Sequence, residues 1–270
     1  MKRKATRAVK RNMLVSVMAC AALGAGVTGC AGSSSDANDD KAPDKERQAQ
    51  EKQAFEGQSA DEIADKAIAA TKKAQSLRLS TETAAGAQTS TADYAVDTKG
   101  SCQGTNTMQD AKAEMRRIGP DTYVKGNAAY WTATLKQQGG GAKAQKQVAA
   151  FKDKWVKLPA AEAKAAQARC DKDSLLAAMD NDKSERQGMT RGKDAQVQGK
   201  NTAVLHKKTD KGETLTLHVA TEGDPYILKL DEKGAKGTTT TSFSDYNKPV
   251  DVTAPPAGEV VDAARAAKAA

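Results

Sequence analysis

Large apolar and aromatic side chains are scarce in this 270-residue chain, which holds three Phe, two Trp, five Tyr, four Cys and two His. With so few imidazoles and thiols, His206 and His218 have no CxxC or HExxH companions, and the usual zinc sites are excluded. No GxxxxGK loop is available to cradle phosphates, and no GxSxG elbow to expose a nucleophilic serine. The uncharged run Met13–Gly29 is 17 residues rich in Ala and Gly, short of the roughly 20 strongly apolar residues that span a bilayer. Residues 1–29 also lack any acidic group, while they carry Lys2, Arg3, Lys4, Arg7, Lys10 and Arg11.

What is present follows from that last absence. A basic segment followed by an uncharged, mildly apolar one has the layout of a secretory leader. The run ends Val27-Thr28-Gly29-Cys30, which resembles the lipobox of bacterial lipoproteins. The resemblance implies cleavage before Cys30 and a diacylglycerol thioether on its sulfur. The protein is then expected at the extracytoplasmic face of the cell membrane, with the membrane itself as a partner through Cys30. The formal charge of the whole chain is +8, but six of its 42 basic residues and none of its 34 acidic ones lie in the leader. The remainder is nearly neutral and has no basic cluster with interleaved aromatics, so nucleic acid is not an expected partner.

Loss of Cys20 with the leader and acylation of Cys30 leave Cys102 and Cys170. In an oxidising compartment these two are either a single bridge or two free thiols, and the bridge is the expectation. Residues 30–54 are the lipidated cysteine and a Ser-, Asp-, Lys- and Gln-rich tether with almost nothing apolar to bury.

Order is expected from Phe55 onward, as one domain over residues 55–270. Ser59-x-x-Glu62 is a capping box, and Ile63, Ala67, Ile68, Ala74 and Leu77 recur at helical spacing through about Gln75. LRLSTET, TADYAVDTK, AEMRRIG, DTYVKG and AAYWTATL read as strands, with turns at Gly119-Pro120-Asp121 and Lys125-Gly126-Asn127. A helical patch over Ala142–Asp153 precedes a short strand at Lys154–Leu158. Pro159 opens a helix over Ala160–Ala168, and Asp173 is placed to cap another around Leu175, Leu176 and Met179. Strands return at Asn201–Lys207, Thr214–Ala220, Pro225–Leu230 and Thr238–Phe243; Tyr246–Pro256 is an extended tail and Gly258–Ala269 an Ala-rich helix or frayed end. Leu215, Leu217 and Val219 alternate with polar residues, and so do Tyr226, Leu228 and Leu230. The order predicts an α+β fold with one large antiparallel sheet.

The lipobox, the helix Ser59–Ala74 with SLRLS, GPDTYVKGNAAYW, DKWVKL, LTLHVATEGDPYILKL and FSDYNKPVDVTAPP occur in order across most of residues 55–262. As a set they resemble actinobacterial lipoproteins of the LolA-like superfamily, near the mycobacterial lipid carriers. That resemblance implies a strongly curved antiparallel sheet, a half-open barrel, with helices over its concave face and acyl chains held between. From Cys30 onward only 29 of 241 residues are Leu, Ile, Val or Phe, so Ala fills much of the interior, around either a hollow or a small collapsed core.

The expected function is binding or carriage of a lipid or other hydrophobic ligand by a monomeric domain without a cofactor. Candidate wall residues are Tyr123, Tyr130, Trp131, Leu215, Leu217, Val219, Tyr226, Leu228 and Leu230. The alternative is a surface-tethered sensor or protein-binding module without a cavity. No catalytic or metal constellation assembles from the remaining residues, and no enzymatic role is expected.

Overall fold

The computed structural model describes residues 55–139, 144–177 and 187–269. The leader, Cys30, the tether, Ala142 and Met179 lie outside the described residues.

Helix α1 (Ala60–Lys73) begins where the capping box places it. Ser59 Oγ accepts from the Glu62 amide at 3.2 Å, and Glu62 Oε2 accepts from the Ser59 amide at 2.7 Å. Its apolar stripe Ile63, Ala64, Ala67, Ile68 is buried against the sheet together with Thr71. The far end is closed by Lys172, a buried lysine whose Nζ donates to the Lys72 carbonyl at 2.6 Å, the position where a cation best complements the helix dipole.

Five strands follow as a meander: β1 (Ser76–Ala85), β2 (Gln88–Asp97), β3 (Cys102–Met108), β4 (Ala111–Ile118) and β5 (Asp121–Gly126). Helices α2 (Ala128–Gln137) and α3 (Ala144–Phe151), strand β6 (Trp155–Lys157), and helices α4 (Ala160–Gln167) and α5 (Lys172–Leu176) come next. The last third is β7 (Thr190–Arg191), β8 (Ala195–Val197), β9 (Lys200–Lys208), β10 (Thr214–Ala220), β11 (Ile227–Gly234), β12 (Gly237–Ser244), β13 (Val260–Asp262) and α6 (Ala263–Ala269).

All thirteen strands join one sheet in the order β13-β6-β5-β4-β3-β2-β1-β12-β11-β10-β9-β7, with β8 also on β9. Every pair is antiparallel except β13 with β6, which is parallel. The α+β expectation therefore holds, with a curved sheet and its helices on the concave side.

Three local expectations are corrected. AAYWTATL is not a strand but the body of α2. Asn127 is its N-cap, accepting from the Tyr130 amide at 2.9 Å, so Lys125-Gly126-Asn127 is a strand end and a cap rather than a hairpin turn. Trp131 and Leu135, four residues apart, are the residues α2 buries. The cap of α5 is Asp171, which accepts from the Ser174 amide at 2.7 Å, and not Asp173. The third correction concerns β11. Opposite β10 the register runs His218 with Lys229 and then Val219 with Ile227, so Leu228 is an extra, bulged residue.

The bulge is held by side chains. The Ile227 amide donates to Thr71 Oγ1 at 3.1 Å, and the Tyr246 hydroxyl donates to the Ile227 carbonyl. Tyr246 in turn stacks on Tyr226 with ring centroids 4.0 Å apart. Replacing Thr71 with Val keeps the volume and strands a buried N–H. A loss of about 1–3 kcal/mol in urea unfolding is expected, and no loss would mean that the amide finds another partner.

Candidate functional site

Because paired residues and residues two apart share a face, the register defines the concave wall row by row. The deep row is Gly104, Tyr94, Leu79 and Phe243 across β3, β2, β1 and β12, continued beyond the bulge by Ile227, Val219 and Ala203. The middle row is Asn106, Ala92, Thr81, Thr241, Leu230, Leu217 and Leu205. The outer row is Met108, Ser90, Thr83, Thr239, Glu232, Leu215 and Lys207. The wall thus grades from apolar at depth to polar at the rim.

The helices fill this concavity unequally. Over β4–β6, Trp131 packs edge-on to Phe151 at 5.2 Å and shares the buried cluster with Val124 and Val156. Over β1–β3 and β10–β12, among the described residues, α1, the segment from Arg169 into α5, and Met189 border a cavity of about 600 Å³. Ala64 and Ile68 of α1, with Arg169, Leu175 and Met189, form its roof, and the deep and middle rows form its floor. Among the described residues Met108, on the rim, is the only exposed large hydrophobic side chain.

Two features shape the floor. Gly104 leaves room for the Tyr94 ring: a Cβ there would stand 2.3 Å from both the Tyr94 Cδ1 and the Asp93 carbonyl oxygen. The Thr81 and Thr241 hydroxyls pair across the strands at 3.2 Å, as do Thr83 and Thr239. This satisfies polar groups on an otherwise apolar wall.

Of the wall residues expected from the sequence, Leu215, Leu217 and Leu230 line the cavity. The other six are elsewhere. Val219 is fully buried beneath it, and Leu228 is the bulged residue. Tyr226 is in the stack with Tyr246. Tyr123 neighbours Val124 on β5 and so faces the convex side, with Lys157 over its ring. Tyr130 and Trp131 belong to α2 and its packing. Sequence reasoning did not select Leu79, Tyr94, Ile227 or Phe243, each buried in the core or the cavity floor. Their alternation was visible, but which strand faces lay under a thin roof was not.

Cys102 and Cys170 are joined. The bridge ties the β3 end of the sheet to the α4–α5 connection, which carries the roof residue Arg169 and leads into α5 with the roof residue Leu175.

The histidines stand on the convex face, away from the cavity. His218 lies 3.6 Å from Asp231 and 3.5 Å from Thr202, and Asp231 also accepts from Lys229 and Thr240. Burial holds the His218 imidazole below its ordinary pKa despite the opposing pull of Asp231. The unfolded chain therefore binds the proton more readily, and this contribution to stability is complete above about pH 6.5 and lost as pH falls. Replacing His218 with Gln should flatten the rise of unfolding free energy between pH 5 and 7; an unchanged slope would place the titration elsewhere. Among the described residues no three His, Cys, Asp or Glu side chains converge to hold a metal ion. None of the described helices is long and apolar enough to cross a membrane.

No family model matches this chain, and no curated protein does. Among solved structures, LprF from Mycobacterium bovis is similar at 15% identity and a TM-score of 0.50, over 73% of this chain and 96% of that one. The Mycobacterium tuberculosis lipoprotein LppX is similar at 16% identity and a TM-score of 0.45, over 71% and 96%. MucB aligns over 74% of this chain and 61% of its own, at 15% identity and a TM-score of 0.33. At these identities the likeness is one of fold alone: the chain shares the fold of LprF.

Proposed function

We propose that this protein is an extracytoplasmic, membrane-anchored carrier that buries the apolar part of an amphiphile between sheet and helices. In this reading residues 1–29 are removed, Cys30 carries the lipid, and residues 31–54 are the tether of a domain over 55–270. Two acyl chains on Cys30 suffice for stable anchoring where one would be marginal. A coil of about 25 residues spans roughly 25–30 Å, enough for the domain to work at the surface of its own membrane.

The observation that carries the reading is the cavity of about 600 Å³ under α1, apolar at depth and polar at its rim. That volume is within the range of roughly 300–1,000 Å³ typical of small-molecule sites. Each CH₂ moved from water into it is worth about 0.8 kcal/mol, so a ten-carbon segment gains about 8 kcal/mol before the costs of association. Binding then needs no polar code beyond the head.

The test is native mass spectrometry of the protein purified from its own membranes, followed by lipid extraction. Co-purifying amphiphile at about one per chain is expected. Empty protein that also takes nothing from lipid vesicles would overturn the carrier and favour a tethered partner-binding module. Cys30→Ala tests the anchor separately: it should lose the lipid mass and the cleavage, and an unchanged mass and membrane retention would refute the anchor.

A further inference from the structure

The two flanks of the cavity differ in charge, and the difference is fixed by covalent structure. On the β10–β11 flank the rim holds the Glu232 carboxylate. On the β2–β3 flank it holds the Arg169 guanidinium. Between the β3 position and β11 lie β2, β1 and β12, so the flanks are separated by roughly 19 Å along the sheet at 4.8 Å per strand.

Arg169 is not a freely roaming surface side chain at its base. Its amide donates to the Ala166 carbonyl at 3.1 Å, the next amide donates to the Gln167 carbonyl at 2.8 Å, and Cys170 is bonded to Cys102 on β3. The side chain thereby joins Tyr94 and Asn106 in lining the cavity. Its charge reaches the Tyr94 hydroxyl, where it opposes the upward push of burial on that group. No carboxylate pairs with Arg169 among the described residues.

The neighbouring Asn106 also lines the cavity. Tyr94 Oη donates to Asn106 Oδ1 at 3.5 Å, so the amide oxygen is turned to the tyrosine and the NH₂ is the amide's donor group. A guanidinium and an amide NH₂ together, beside an apolar trough, match one kind of partner. Charged oxygen acceptors form the shorter and stronger hydrogen bonds with such donors, and the guanidinium fork fits a carboxylate or phosphate in two-point fashion.

We infer that the cavity takes an amphiphile with an anionic oxygen head, a carboxylate or a phosphodiester, held at the β2–β3 flank by Arg169 and Asn106 with its chain along the deep row. This rests on the carrier reading and specifies its ligand. The head stays at the rim, where water completes its solvation, and the chain runs over Leu79 and Phe243, beneath α1.

The experiment offers the full-length protein, purified from its membranes in non-ionic detergent, equal amounts of oleate, dioleoyl phosphatidylglycerol and neutral dioleoylglycerol. Bound species are counted by native mass spectrometry. The wild type should recover at least one anionic probe about tenfold over dioleoylglycerol; preference for oleate assigns a carboxylate head and preference for phosphatidylglycerol a phosphodiester. Arg169→Gln should bring that ratio close to one, and Arg169→Lys should keep most of it. Equal loading of neutral and anionic probes by the wild type, or an undiminished preference in Arg169→Gln, overturns the inference and leaves the carrier standing. Loading of no probe overturns both.

Discussion

Removing the Cys102–Cys170 bridge is expected to lower the unfolding free energy by about 4 kcal/mol, since it closes a loop with a sequence separation of 68. The effect arises mainly in the unfolded chain, which regains the freedom of a loop of nearly a quarter of the protein. A Cys102→Ala, Cys170→Ala double variant should therefore show both a lower urea midpoint and a steeper dependence on urea, because a less constrained unfolded state exposes more surface. Both sulfurs are fully buried, so two alanines also leave a small void on the same side of the ledger. The bridge has a second consequence in the folded state. It fixes the roof over the β3 flank, and the variant should lose discrimination between anionic and neutral amphiphiles even under conditions where it remains folded. A loss under about 1 kcal/mol would mean that the unfolded chain keeps these segments together without the bond.

Phe243→Ala is expected to cost about 3–5 kcal/mol, the range for deleting a buried aromatic ring. Phe243 is completely buried, sits opposite Leu79 on the β1–β12 ladder, and forms the floor of the cavity. In a close-packed core the neighbours would collapse partly into the vacancy. Here they border empty space, and the strand neighbours Ser242 and Ser244 are committed to the other face, so collapse is limited and the upper half of the range applies. Ligand should restore part of the loss. A molecule that binds only the folded state adds RT ln(1 + [L]/Kd), or about 2.7 kcal/mol at a hundredfold excess over Kd. Urea unfolding with and without a saturating amphiphile measures both quantities. A variant as stable as the wild type without ligand would show that the ring does not support the sheet.

Features carried by neighbours in sequence were legible. The Ser59–Glu62 box needs only residues three apart, and the phase of Leu215 and Leu217 needs only alternation, so α1 and the β10 face could be read directly. AAYWTATL was misread because its Thr and aromatic residues suit a strand as well as a helix. What decides it is the Asn127 cap, which also bonds to the Lys112 amide and the Asp110 carbonyl of a different hairpin. The phase of β11 could not be read at all, because Leu228 is accommodated by Thr71, 156 residues before Ile227, and by Tyr246, 19 residues after it. Arg169 carried no signal for the same reason: an arginine in an Ala-rich stretch reads as solvent-facing until the bridge places it over β3. The cavity itself is bordered by α1, Arg169, Leu175, Met189 and strands from both halves of the chain, and no local pattern encodes that meeting.

The bulge at Leu228 also separates two jobs that a regular strand would combine. With the extra residue present, Ile227 and Leu230 both face the cavity although they are three apart, an odd spacing that a regular strand would send to opposite faces. Deleting Leu228 would leave them two apart, and a regular ladder would keep both on the concave face. What the deletion would remove is the local bend that presents the Ile227 amide and carbonyl to Thr71 and Tyr246. The extra residue thus serves the link between β11, α1 and the chain after β12, not the sidedness of the strand. An alignment of this segment should show gaps at that column only where Thr71 and Tyr246 are also replaced.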